Sequence, residues 1–224
     1  MQKGIFITFE GPEGSGKTTH IGLLAAYLRA TGQRVVVTRE PGGTLFSAGI
    51  RKLLLEGKES IAPLSELFLY EADRAQHFQE ILLPALEQKK IVLCDRYTDS
   101  TLAYQGYGRG LDMTTIGTLN HIASDELTPH ITILLDVPVK RGLQQAKAKK
   151  NRHDRLERAG VAFHQRVRKG FLALAKKEPR RFRVIKQLPS ITATQNKIRE
   201  IIMPYLHPHP PLSLKGEGQA WPSP

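Results

Sequence analysis

Cysteine is almost missing from this 224-residue chain, where Cys94 stands alone. A single thiol builds neither a disulfide framework nor a cysteine-rich metal site. Within the run IVLC it reads as apolar filler of a strand, a frequent place for a free cysteine. Long apolar runs are missing too. The longest, such as Ile91 to Cys94 and Ile131 to Val137, fall far short of the roughly 18 residues a membrane-spanning helix needs. The stretch GIFITF near the N-terminus is too short for a secretory signal and runs directly into a glycine-rich motif. The expectation is a cytoplasmic protein with no membrane association. No internal repeat is present.

Acids are scarce in one region only. From Lys140 to Lys186 there are 17 Lys or Arg against three acids, a local charge of +14 within a total of +12. The rest of the chain is therefore close to neutral. A basic excess of this kind implies a polyanion partner, either nucleic acid or a phosphorylated small molecule, or simply a solvated helical face. Lys147 to Lys150 and Lys176 to Arg183 read as solvated surface, while the sharper reading is that some arginines of the region close over phosphates.

With 40% hydrophobic and 24% charged residues, the chain has the balance of one domain with a sizeable core. That domain is expected over residues 1–206. The remainder, 207–224, is rich in proline and glycine without apolar period and reads as a disordered tail. Trp221 within it is either an anchor for a partner or an incidental aromatic. Five short β-branched stretches read as strands: GIFITFEG, QRVVVTRE, KIVLCDRY, HITILLDV and the weaker RFRVIK. Helical periods lie between them: Ile21, Leu24 and Leu28 share one face, Ile50, Leu53 and Leu54 begin another, and leucines recur from Leu64 to Leu86. Apolar strands alternating with helices predict an α/β fold, a doubly wound five-stranded parallel sheet with helices on both faces. Ligands in such folds lie beyond the carboxyl ends of the strands.

Directly after the first strand comes GPEGSGKT, Gly11 to Thr18, which fits the phosphate-loop pattern G-x-x-x-x-G-K-[ST] at every fixed position. Chance gives such a match on the order of once per hundred chains of this length. Gly11, Pro12, Glu13, Gly14, Ser15 and Gly16 let the backbone turn so that N–H groups and the following helix N-terminus face phosphates. Lys17 reaches the β- and γ-phosphates, the Thr18 hydroxyl ligates Mg²⁺, and Thr19 continues the helix. Asp95, closing the third strand, is either a helix cap or a carboxylate able to hold the metal or its water.

Several separate motifs extend this pattern: FEGPEGSGKTT, TREPGGT (Thr38 to Thr44), LYEADR (Leu69 to Arg74), CDRYTDSTLAYQG (Cys94 to Gly106) and DRLE (Asp154 to Glu157). In order and approximate spacing they resemble the thymidylate kinase family, from about Ile5 to Leu206. The resemblance implies a P-loop kinase that moves the γ-phosphoryl of ATP to dTMP with Mg²⁺, a homodimer, and a short mobile lid near residues 144–160. It further implies that Glu13 works near the acceptor's sugar and phosphate, with a place in the metal site beside Thr18 and Asp95, and that Arg96 grips the acceptor phosphate. Tyr70 stacks on the base and Arg74, one helical turn on, bonds it. Thr101 and Gln105 face the base edge, Tyr104 crowds the sugar 2′ position, and Arg39 and Arg51 are further pocket arginines or surface ion pairs. With no arginine in the phosphate loop, the lid supplies one from Arg152, Arg155 and Arg158, with Arg155 the first choice. Lys17, Arg96, Arg155, Glu13 and Asp95 thus form the expected catalytic set.

Three segments depart from the family pattern. Ser47 and Ala48 stand where relatives commonly have Gly-Glu, Ala159 replaces a second lid acid, and IKQLPS follows the fifth strand in place of an acid-containing turn. These leave two other readings open, a related kinase with another acceptor and a catalytically weakened paralogue. A nucleotide-switched nucleic-acid-binding protein is the rival from another class, and it leaves LYEADR and AYQG unexplained.

Overall fold

In the computed structural model, the described residues are 4–57, 60–149, 155–156 and 158–206. The tail (207–224) and lid residues Arg152, Asp154 and Glu157 lie outside them. Five strands form one parallel sheet: β1 (Ile5–Glu10), β2 (Val35–Arg39), β3 (Ile91–Asp95), β4 (Ile131–Asp136) and β5 (Phe182–Lys186), in the order β2-β3-β1-β4-β5. The central strand β1 pairs Ile5 with Ile91 on one side and Ile7 with Ile131 on the other. Its neighbour order reverses there, which opens a crevice at the carboxyl ends of β1 and β3.

Strand alternation sends side chains to two covered faces. Ile7, Phe9, Ile91, Leu93, Ile131 and Ile133 pack with Ile21, Leu24 and Leu28 of α1 (Lys17–Ala30). Ile198 and Ile202 of the last helix, Ile191–Leu206, close this layer. On the opposite face Phe6, Val92 and Cys94 meet Phe78, Leu82, Leu86 and Tyr97, and Leu134 meets Phe163, Val167 and Phe171. Burial on both sides explains why β1, β3 and β4 read as continuous apolar runs. β2 and β5 are edge strands with partly exposed residues, hence the weaker period of RFRVIK.

The remaining described helices are α2 (Leu45–Glu56), α3 (Pro63–His77), α4 (Leu83–Glu87), α5 (Thr98–Thr101), α6 (Met113–Ser124), α7 (Val139–Lys149) and α8 (Val161–Lys177), the last helix being α9. π-helical turns at Phe78–Leu82 and Leu102–Gly108 continue α3 and α5. Two expectations need correction. Leu53 does not share the buried face of Ile50 and Leu54; it is 60% exposed, because the apolar stripe of α2 faces two ways. Within the basic run Lys176 to Arg183, Arg181 is not solvated surface: it is 12% exposed and forked onto buried Asp99 at 2.7 and 2.9 Å.

Candidate active site

The loop between β1 and α1 turns through three glycines with positive φ, Gly11 (141°), Gly14 (70°) and Gly16 (88°), a region closed to most side chains. Gly16 precedes α1, and no side chain caps that helix or places an acid in its first turn. Its orphan N–H groups are left for an anion. Lys17 curls into the loop, donating to the Gly11 and Pro12 carbonyls at 3.1 Å each. Burial, then the neighbouring Arg96 charge, pushes its pKa down to about 8 against the pull of Glu13 and Asp95. Thr18 donates from Oγ1 to Asp95 Oδ2 at 2.6 Å, at the solvent edge of the loop.

Arg96 follows Asp95 in a left-handed conformation, φ 73°, a sparsely populated state for a residue with a Cβ and one that clusters at functional sites. Its backbone N–H is tied to the Phe9 carbonyl at 3.0 Å. This turn aims the guanidinium back across the loop, where Nη2 donates to Glu13 Oε1 at 2.7 Å and to the Tyr104 hydroxyl at 3.0 Å, while Nη1 reaches the Gly11 carbonyl at 3.1 Å. Tyr104 also donates to Glu13 Oε1 at 2.8 Å. Burial alone would keep Glu13 protonated, but the Arg96 and Lys17 charges outweigh it and hold the carboxyl at about 2. Beneath them Glu10, fully buried, accepts from the Tyr97 N–H at 2.8 Å and from Ser100 Oγ at 2.7 Å. Burial, reinforced by Asp99, raises its pKa to about 8.

A cavity of about 380 Å³ opens beside the loop. Its lining includes all eight residues expected to bind the acceptor: Arg39, Arg51, Tyr70, Arg74, Arg96, Thr101, Tyr104 and Gln105. Tyr70 and Arg74 come from one face of α3, and Tyr104 and Gln105 from the π-helical turn. Arg74 is 1% exposed, with Nε on Glu40 at 3.0 Å and Nη1 on Glu71 at 2.7 Å and Asn120 at 2.6 Å. Burial opposes its charge, and Glu40 and Glu71 sustain it. Thr101 Oγ1 lies 2.7 Å from the same Asn120 oxygen. Arg51 donates to the Pro41 carbonyl at 2.7 Å, bracing the REPGG loop, and Arg39 is exposed at its rim.

Arg155 is the expected site residue that the structure does not bring to the loop. Its backbone N–H and Nε donate to the Leu55 and Leu54 carbonyls at 3.0 and 2.9 Å, and its guanidinium pairs with Glu66. Arg158 donates to the Gly57 carbonyl at 3.2 Å. Glu13 is committed to Arg96 and Tyr104, whereas the oxygen pair apt for a metal is Thr18 with Asp95.

A second cleft of about 400 Å³ meets the first on Gly14, Ser15, Gly16 and Thr19. Arg141, Gln145, Lys186 and Gln187 line it. Lys186 and Gln187 belong to the IKQLPS segment noted as a departure from the family pattern; Arg141 and Gln145 were not singled out from the sequence, because neither their type nor their spacing forms a motif. Glu66 and Asn120 lie outside every motif, and Glu10 and Ser100 lie within quoted motifs without being assigned a role; the roles of all four come from contacts across the fold.

Two clefts joined on one phosphate loop suit two phosphorylated ligands, and comparisons with known proteins identify the family. The family model described as thymidylate kinase matches residues 9–198. The thymidylate kinase of Geobacter sulfurreducens is 50% identical over 206 residues, covering 89% of this chain and 97% of the relative. That of Synechococcus is 48% identical over 95% of this chain and 98% of the relative. The crystal structure of thymidylate kinase from Ehrlichia chaffeensis superposes with a TM-score of 0.73 at 41% identity, covering 89% of this chain and 98% of that one. With a family model over most of its length, relatives near half identity and the phosphate loop, REPGG segment and α3 arginine in place, this chain belongs to the thymidylate kinase family.

Proposed function

We propose that this protein transfers the γ-phosphoryl group of ATP to dTMP, yielding ADP and dTDP. One observation carries the reading: the cavity lined by Tyr70, Arg74, Gln105 and Arg96 shares its floor, Gly14 to Gly16, with a second cleft. Acceptor and donor phosphates can therefore meet over Lys17. An oxygen of the dTMP phosphate attacks the γ-phosphorus, and the bond from that phosphorus to the β-γ bridging oxygen breaks as ADP leaves. The second pKa of a nucleoside monophosphate lies near ~6, so the attacking oxygen is already ionised at neutral pH. No general base is required. The obstacle is the repulsion of two polyanions, which positioning and positive charge overcome.

Lys17 and Arg96 supply fixed positive charge on either side of the transferred group. Arg155, released from Glu66, is the residue assigned to the developing charge. Thr18 and Asp95 fit Mg²⁺: this cation is usually held by one or two protein oxygens together with phosphates and water. No group of three His, Cys, Asp or Glu able to hold a metal occurs among the described residues. Thr18 and Asp95 would hold Mg²⁺ with the nucleotide, where it would supply neutralising charge to the phosphates. Tyr104, over Glu13 and Arg96, fills the space that a ribose 2′-hydroxyl would need. The clefts suit small phosphorylated ligands, so nucleic acid is not an expected partner, and the substrates suit a cytoplasmic enzyme. A homodimer is supported by exposed apolar side chains on α2, α3 and α6, among them Phe46, Phe68 and Ile122.

The test is ADP production from ATP and Mg²⁺ with dTMP, dUMP, dGMP, dCMP, AMP and UMP in turn, with Lys17→Ala as the blank. Turnover dependent on dTMP supports the reading. Activity with another acceptor alone rejects dTMP and keeps the kinase, and silence throughout points to the weakened paralogue.

A further inference from the structure

Glu66 belongs to none of the sequence motifs and has no part in phosphoryl transfer, yet it is 0% exposed and surrounded by donors. Oε1 accepts from Gln105 Nε2 at 2.7 Å and from Arg109 Nε at 3.3 Å. Oε2 accepts from Arg109 Nη2 at 3.1 Å and pairs with Arg155. Burial would protonate this carboxyl, but the Arg109, Gln105 and Arg155 hydrogen bonds hold its pKa below the ordinary value. An ionised carboxylate only accepts. The two ends of a glutamine amide are distinguished by the partners they meet. Facing Glu66, the amide must turn its NH₂ inward, since the reversed orientation would press a carbonyl oxygen against a carboxylate. Oε1 is then the group Gln105 can offer to the cavity it lines.

We propose that Glu66 is a positioning residue for base specificity: it locks the Gln105 amide so that the acceptor cavity presents a hydrogen-bond acceptor beside the donor Arg74. The inference rests on the acceptor-cavity reading above. Thymine and uracil carry a ring N3–H next to the O4 acceptor, matching the pair. Cytosine inverts both groups, with a bare N3 and an N4 amino donor, so it meets acceptor against acceptor and donor against donor. Glu66, Tyr70 and Arg74 stand on successive turns of α3, four residues apart. One helix face thus orients the reader, stacks the base and bonds its edge.

dUMP and dCMP separate this hydrogen-bond pattern from methyl packing, because they differ only at N3 and position 4. In the full-length enzyme, kcat/KM is measured for both. The unmodified enzyme is expected to favour dUMP by about a hundredfold or more. Glu66→Gln frees the amide to turn over and is expected to lower the ratio at least about tenfold, whereas Glu66→Asp, still an acceptor only, keeps most of it. Should Glu66→Gln not fold, Gln105→Leu replaces it and must lower the ratio likewise. Equal use of dUMP and dCMP by the unmodified enzyme overturns the inference. So does a loss shared equally by both substrates in Glu66→Gln, the mark of a merely structural carboxylate. Pyrimidine-dependent turnover with an unmoved ratio sinks only this inference; no turnover with any pyrimidine monophosphate sinks the acceptor reading with it.

Discussion

Arg155 rests on Glu66, at a distance from the loop it is proposed to serve, and that placement makes its removal informative. Without it Glu66 still holds Gln105 and Arg109, so the acceptor cavity keeps its shape. Arg155→Ala is expected to lower kcat by roughly 10³-fold, as loss of an arginine finger does, with little change in the KM for dTMP or in Tm. Near-normal turnover would reject the assignment. Glu13 makes a second case. Its pKa of about 2 lies below the ordinary carboxyl value of 4.5, so the folded state gains stability from it above pH 4.5 and loses that gain as pH falls toward 2. The contribution is on the order of 3 kcal/mol. The unfolding free energy of the unmodified protein should exceed that of Glu13→Gln at pH 5, and the gap should close by about pH 2. A constant gap would mean that Glu13 is not held ionised by Arg96. Lys17 and Thr18 were legible in the sequence because phosphate chemistry demands fixed residue types at fixed spacing in the loop, and Arg96 only through the family resemblance of the segment that carries it. Glu66 was not, since a buried acid on an apolar helix face looks like any surface acid until its partners, 39 and 43 residues away, arrive.

At the level of elements, the strands and their order along the chain were legible because burial on both faces writes continuous apolar runs. The π-helical turn Leu102–Gly108 was not: its one-residue widening leaves no period to read, yet it sets Tyr104 and Gln105 into the cavity. Such turns often mark functional sites. The seat of the phosphate loop was likewise hidden. Gly142, in the first turn of α7, lies so close to the loop that a Cβ there would overlap the Glu13 carbonyl oxygen, and a Cβ on Gly14 would overlap the Gly142 carbonyl. Helix and loop can only move apart to admit one. Gly142→Ala is expected to destabilise the fold by about 1–3 kcal/mol and to raise the KM for ATP several-fold. Unchanged Tm and KM would show that the loop yields without cost.

Across the whole molecule, the basic excess between Lys140 and Lys186 divides into structural and surface charge. Arg168 of α8 forks onto Asp136 of β4 at 2.6 and 2.8 Å, and Arg181, just before β5, forks onto Asp99 of α5, so part of what reads as a polyanion patch ties helices α8 and α5 to the sheet. Composition cannot reveal this, because pairing depends on which acids the topology brings near. The apolar surface makes the complementary point. α3 packs against both α2 and α6, and these three helices expose Leu45, Phe46 and Leu53, Leu64 and Phe68, and Ile122, from 47% for Leu64 to 96% for Leu45. Helical spacing in the sequence places Leu53 and Leu64 in apolar periods, and the structure leaves both exposed. Large apolar side chains gathered on adjoining helices mark an interaction surface, and in the proposed homodimer a second copy of the chain would cover it by two-fold pairing of like with like. Light scattering on the purified protein should give about 50 kDa, twice the 25.0 kDa chain. Phe68→Asp, at the centre helix of the three, should shift the mass toward 25 kDa at micromolar concentration because each copy would bury a charge facing its twin. Both acceptor-cavity volume and the buried face of α3 are untouched by that exposed substitution, so any activity lost with the dimer would mean that pairing steadies α3 and with it Tyr70 and Arg74. A monomeric unmodified protein would instead leave this surface to a different partner.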